Sequence, residues 1–241
     1  MTEMPLEPRV APVTGEVPVA FQDPIYLAAV VDLLGAIAYG EMSAFERLAE
    51  DAKMAPSLED KMELAAMAST EFGHFCALRD RLKALGADPF AAMAPFQKPF
   101  DAFHTRTAPS DWLEGLIKAY VGDGLAADFY REIAAFVDAD TRALIIESLQ
   151  DAGQSAFVLD RVRSAIEHDH RVAGRLALWG RRLMGEALSQ AQRVAAERDA
   201  LSALLAGGVD RPGMDLAAIG RMFTRLTENH ARRMALLGLA S

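Results

Sequence analysis

Cysteine is nearly missing from this sequence: Cys76 is the one thiol in 241 residues. With no second cysteine, the chain can form neither an internal disulfide framework nor a cysteine-rich zinc or iron–sulfur site, and the usage fits a reducing compartment. Positive charge is also short. Lys and Arg number 25 against 34 Asp and Glu, a net charge of −9, which argues against a simple polybasic nucleic-acid binder. The longest apolar stretch, Ile25 to Tyr39, is cut by Asp32 and falls short of a membrane span. Met1 to Glu7 carries acidic rather than basic groups and no apolar segment, so neither a signal nor a transit peptide is expected. No window shows the strict alternation of a half-buried strand. The expectation is a soluble, cytoplasmic, all-α protein with no membrane partner.

What the chain does have is helical period and a charge split. Hydrophobic residues make up 51% of the whole. Residues 1–160 carry 12 basic and 26 acidic groups, net −14, whereas residues 161–241 carry 13 and 8, net +5. Five of the 11 prolines fall in the first 24 residues, which reads as a flexible arm over 1–22 followed by one helical domain over 23–241. Helix one begins at Asp23 and ends at Ala55-Pro56, and Ser57 with Glu59 and Asp60 opens helix two. Gly86 to Pro89 closes helix two, and Phe90 to Ala108, broken by Pro95 and Pro99, reads as a long crossover loop. Helix three starts at Pro109-Ser110-Asp111, and Asp138-Ala139-Asp140 separates it from helix four. Short hairpins and one long crossover describe a ferritin-like four-helix bundle over 23–168. Two further helices are expected over 171–239, from Val172 to Leu205 and from Met214 to Leu237, with a Gly/Pro linker between Gly207 and Gly213.

The two hairpins resemble one another. Gly40-Glu41 with Ala44 and Glu46 aligns with Gly122-Asp123, Ala126 and Asp128; Glu71, Gly73, His74, Asp80 and Arg81 align with Asp151, Gly153, Gln154, Asp160 and Arg161. Helical phase gives these matches meaning. Glu41 falls on the apolar stripe Leu34, Ile37, Ala38, Ala44, Phe45, Leu48, and Glu71 and His74 fall on the stripe Leu64, Met67, Ala68, Phe75, Leu78. Asp123 shares a face with Leu116, Tyr120, Ala127 and Tyr130; Glu147, Asp151 and Gln154 share one with Leu144, Val158 and Val162. Each helix thus directs at least one carboxylate inward. Unpaired buried carboxylates cost several kcal/mol each, so the set calls for a cation or shared protons. Lone carboxylates from two helices with Glu-x-x-His from the others form a di-iron arrangement, and oxygen-rich ligation with imidazole suits iron or manganese. The alternative is a non-catalytic bundle with a degenerate site, whose buried polar groups form a structural hydrogen-bond network.

Tyr39-Gly40-Glu41 with Ser43 to Glu46, then Glu71-Phe72-Gly73-His74-Phe75, then Tyr120 to Gly124 resemble the actinobacterial ferritin-like proteins grouped with the tRNA hydroxylase of 2-methylthio-isopentenyl-adenosine. The likeness runs from about Asp23 to Leu239. It implies one iron held by Glu41, bridging Glu71 and His74, and a second held by Asp123, bridging Asp151 and Gln154, with Glu71 and Asp151 nearest the chemistry. This second half departs from the family's Glu and Glu-x-x-His at all three positions, which weakens the second metal; Glu147 is either a compensating ligand or a surface acid. The resemblance further implies a monooxygenase that takes electrons from a ferredoxin or flavin reductase and hydroxylates a C–H bond of tRNA; the sequence leaves the oligomeric state open.

The basic surplus after residue 160 includes Arg161, Arg163, Arg171, Arg175, Arg181, Arg182, Arg193 and Arg198, a stripe that suits either phosphate or the acidic bundle. Trp112 and Trp179 are expected to pack rather than stack on a base, and Tyr39, Tyr120 and Tyr130 are either donors beside the metals or core fillers. The glycines of Gly122-Asp123-Gly124 follow no strand, so they read as sites of helix approach rather than a nucleotide loop.

Overall fold

A computed structural model describes residues 19–150, 154–207 and 213–240, all of whose regular elements are helical. In chain order these are α1 (Pro24–Asp51), α2 (Leu58–Ala84), α3 (Pro89–Met93), α4 (Gln97–Arg106), α5 (Trp112–Ala134), α6 (Ala139–Ser148), α7 (Gln154–His168), α8 (Val172–Glu197), α9 (Asp199–Ala206) and α10 (Leu216–Leu236). Side-chain caps start the long ones where the sequence places them. Asp23 accepts from the Ile25 amide at 2.9 Å ahead of Pro24, and Ser57 accepts from the Asp60 amide at 3.0 Å. Asp111 and Asp138 cap α5 and α6 through the Glu114 and Thr141 amides. Gly86, at φ +76, ends α2, donating to Lys83 while Ala87 donates to Leu82.

Three segments differ from expectation. The arm gives way at Val19, because Phe21 is buried against Tyr26 at a ring separation of 5.6 Å, drawing Val19–Gln22 into a 3-10 turn. The crossover is not a loop: Asp88 caps α3 with Pro89 at its first position, and Pro99 sits in the first turn of α4, so these prolines start helices instead of breaking them. Fully buried Phe96 anchors the junction between the two. The expected helix from Val172 to Leu205 breaks at Arg198, whose backbone is extended while its guanidinium donates to Asp32 on α1 at 2.5 and 3.0 Å.

The interior has two apolar clusters. One gathers Leu48, Leu64, Met67, Leu116, Val121, Val158 and Leu183; the other gathers Leu33, Leu34, Ile37, Phe75, Leu78, Leu82, Ile133 and Ile145. Along α1, α2 and α5 the chain passes from one cluster to the other, and Glu41, Glu71 and His74 fall between them. Helix α1 with the turn after it is apolar and long enough to cross a membrane by composition, yet 61% of its most apolar window is buried within the bundle.

The C-terminal helices pack onto the bundle through its acids. Arg175 on α8 reaches Glu114 and Asp111, and from α10 Arg233 reaches Asp128 at 2.7 Å and Arg225 reaches Glu132 at 2.6 Å; within the bundle, Arg161 on α7 reaches Asp60 at 2.6 Å. Gly124 permits the Arg233 contact, since a Cβ there would lie 2.6 Å from Arg233 Cδ. Trp179 is buried and donates to the Glu114 carbonyl at 2.9 Å, and Trp112 packs edge-on to Phe157. Both tryptophans are packing residues.

Candidate metal centre

Helices α1 and α2 are joined by a short turn and lie side by side, which sets Glu41 against the Glu71–His74 pair. Spacing of three places Glu71 and His74 one turn apart on a single face. The result is a compact donor set in which one ligand atom from each of Glu41, Glu71 and His74 lies within 4.8 Å of the others. His74 Nδ1 stands 3.6 Å from both the Glu41 and the Glu71 carboxylate, beyond hydrogen-bond reach, and is buried with no partner. Two carboxylate oxygens and one imidazole nitrogen around a buried gap fit one hard or borderline divalent ion.

Without an ion the three donors set one another's charge. Desolvation raises the Glu41 carboxyl well above its ordinary value, with the neighbouring Glu71 charge adding to it. Glu71 moves the other way: burial opposes its ionisation, but His74 and Glu41 hold it below the usual range. The Glu41 and Glu71 carboxylates raise His74 to about 10. The imidazole therefore keeps its proton near neutrality, in a position that a cation would replace.

Glu41 and Glu71 line a cavity of about 150 Å³, walled also by Phe100, Phe103, Tyr120, Asp123, Tyr130 and Ser155. A second cavity of about 220 Å³, almost wholly apolar, shares Phe100, Phe103, Gly122, Ala126 and Tyr130 with it and extends between α5, α8 and α9. Gly40 keeps the first one open, because a Cβ there would meet the Phe100 ring at 3.1 Å. Tyr130 is buried at the common wall, where desolvation raises its hydroxyl pKa. Tyr39 instead donates to Asp101 at 2.9 Å, and burial followed by that carboxylate pushes it up to about 12.

Of the second half of the expected site, Asp123 is the one side chain among the described residues. Asp123 lines the cavity but is exposed, a correction to its expected place in the core. Asp151 and the Gln154 side chain lie outside the described residues. Glu147 is exposed on α6 and does not reach the cavity, which makes it a surface acid. Asp128, the repeat partner of Glu46, is buried and committed to Arg233.

Three cavity residues escape a reading by motif. Asp51 continues the α1 stripe beyond Leu48, so its phase signalled it. Lys118 follows Glu114 by four residues and looks like half of a surface pair, yet Glu114 is taken by Arg175 and Lys118 is buried. His104 lies on α4, in the stretch expected to be a loop; its Nδ1 is buried without a partner, and desolvation lowers it to about 3.

Comparison with known proteins agrees with this architecture. No curated protein matches the sequence. Among solved structures, Protein 19 with aldehyde deformylating oxidase activity from Synechococcus superposes with a TM-score of 0.67 at 20% identity, covering 91% of this chain and 94% of that one, a likeness of fold. The family model described as the ferritin-like domain of actinomycetes matches residues 24–208. Helix order, crossover and family match concur, and the chain belongs to the ferritin-like domain family of actinomycetes.

Proposed function

We propose that this protein is a metal-dependent oxidase or oxygenase of the di-iron carboxylate kind, acting on a small, mainly apolar substrate. The observation that carries the reading is the Glu41–Glu71–His74 donor set, whose two buried glutamates line a cavity that adjoins a larger apolar one. Iron or manganese held there would supply one-electron chemistry toward dioxygen, with external electrons from a ferredoxin or flavin reductase. Glu41 and Glu71 contribute the anionic charge and His74 the nitrogen donor. Phe100 and Phe103 keep the adjoining space apolar, and the Tyr130 hydroxyl, kept neutral by burial, stands on the common wall as a hydrogen-bond donor.

The aldehyde deformylating oxidase activity named for the Synechococcus protein is consistent with an apolar substrate, and the shape of the second cavity favours that class. Hydroxylation of tRNA, implied by the sequence resemblance, has less behind it: Arg161, Arg175 and Arg198 of the expected phosphate stripe are engaged with Asp60, Glu114 and Asp32. A second reading, a ferritin-like protein with a structural single-ion site, draws on the exposure of Asp123.

Anaerobic loading with ferrous iron followed by metal analysis tests the proposal. At least one ion per chain is expected, lost in Glu71→Ala and in His74→Ala; two ions favour the oxygenase over the single-ion reading. A chain that binds no iron or manganese after loading refutes both.

A further inference from the structure

The cavity beside the donor set holds a second reactive group. Lys118, on α5, is 6% exposed and lines that cavity. Its ammonium stands over the Phe103 ring at 5.7 Å, and no carboxylate among the described residues comes within 4 Å of it. The groups facing it are Asp51, Glu50 and Arg47 from α1 and His104 from α4; Glu114, one turn earlier on α5, is occupied by Arg175. A lysine in such surroundings has neither the water nor the close counter-ion that favours the charged form.

We propose that Lys118 is a nucleophilic amine that condenses with an aldehyde entering the cavity, giving the chain a covalent carbonyl-binding site separate from the metal donors. The Nζ lone pair forms a bond to the carbonyl carbon, and the carbonyl oxygen takes one proton from the nitrogen. Loss of that oxygen as water, carrying a second proton that the nitrogen makes good, leaves the imine, with no change in oxidation state and no co-reactant. Asp51 shares the cavity wall and is buried, and desolvation pushes its carboxyl up to about 6, which suits it to pass the proton to the departing water. Burial likewise brings Lys118 down to about 8. At pH 7 about one Lys118 in ten is then a free amine, against about one in 2,500 for a solvated lysine.

The site requires no bound metal, so its test is independent of the proposed oxidase function. The protein is incubated at pH 7 with butanal and sodium cyanoborohydride, and butylated lysines are located by peptide mapping. Lys53, Lys61, Lys83 and Lys98 are all exposed and serve as internal controls. Lys118 is expected to be alkylated at least tenfold faster than any of them, with a rate that rises from pH 6 to 8 and then levels. The single fast adduct should be absent from Lys118→Met, with circular dichroism and the melting temperature verifying the fold. In Glu71→Ala the adduct should persist. Labelling of Lys118 no faster than that of the exposed lysines overturns the proposal, as does binding of acetate or phosphate at Lys118 with no butyl adduct, which would make it an anion anchor.

Discussion

Metal binding at this centre should be paid in protons. At pH 7 the imidazole, raised to about 10, carries a proton on the ring that must ligate, while desolvation raises the Glu41 carboxyl above its ordinary value. Glu71, held below its ordinary value, is already ionised. A divalent ion must displace the imidazole proton, so at least one is released per ion. Acid therefore favours the metal-free form, and affinity grows as pH rises. One displaced proton tightens binding about tenfold per pH unit near neutrality. Titration calorimetry with manganese in two buffers of different ionisation enthalpy reads the number from the difference in observed heat. Glu41→Gln should weaken binding, because it removes one of the two anionic donors while the imidazole proton still has to be displaced. A release near zero in the wild type would refute the reasoning, since it would mean the donors are preformed and ionised.

Arg198→Ala strands Asp32, 6% exposed inside α1, and should cost ~2–4 kcal/mol in urea unfolding, against under ~0.5 kcal/mol for the exposed Arg232→Ala. Gly124→Leu drives a side chain into Arg233 and breaks its pair with Asp128; a loss of ~1–3 kcal/mol is expected by the same assay. Leu34→Ala opens a hole at a fully buried position and should cost ~2–5 kcal/mol. Ala126→Phe fills the wall common to the two cavities, so octanol should raise the melting temperature of the wild type and not of the variant, with manganese binding retained in both.

The long helices were legible because caps and stripes are local signals. Ser57, Asp111 and Asp138 sit where the sequence puts them, and Glu41, Glu71 and His74 share the layer that their phase predicts. What failed was decided by tertiary contacts. Prolines at 89 and 99 are helix breakers in mid-helix and helix starters at a first turn, and only the burial of Phe96 distinguishes the two cases. The break at Arg198 is set by Asp32, 166 residues earlier. Asp123 is exposed although its stripe is apolar, because phase fixes the face of a helix but not the depth of its covering. The charge asymmetry is resolved by the same long-range contacts: Arg161, Arg175, Arg225 and Arg233 in the basic C-terminal part meet acids of the bundle.

The most direct test of the central claim is a crystal loaded anaerobically with ferrous iron and measured at the iron absorption edge. The account predicts an anomalous peak between α1 and α2, with Glu41 and Glu71 oxygens and His74 Nδ1 at about 2.0–2.3 Å, values usual for such ligands. No peak there, or iron bound only at surface carboxylates, would contradict it.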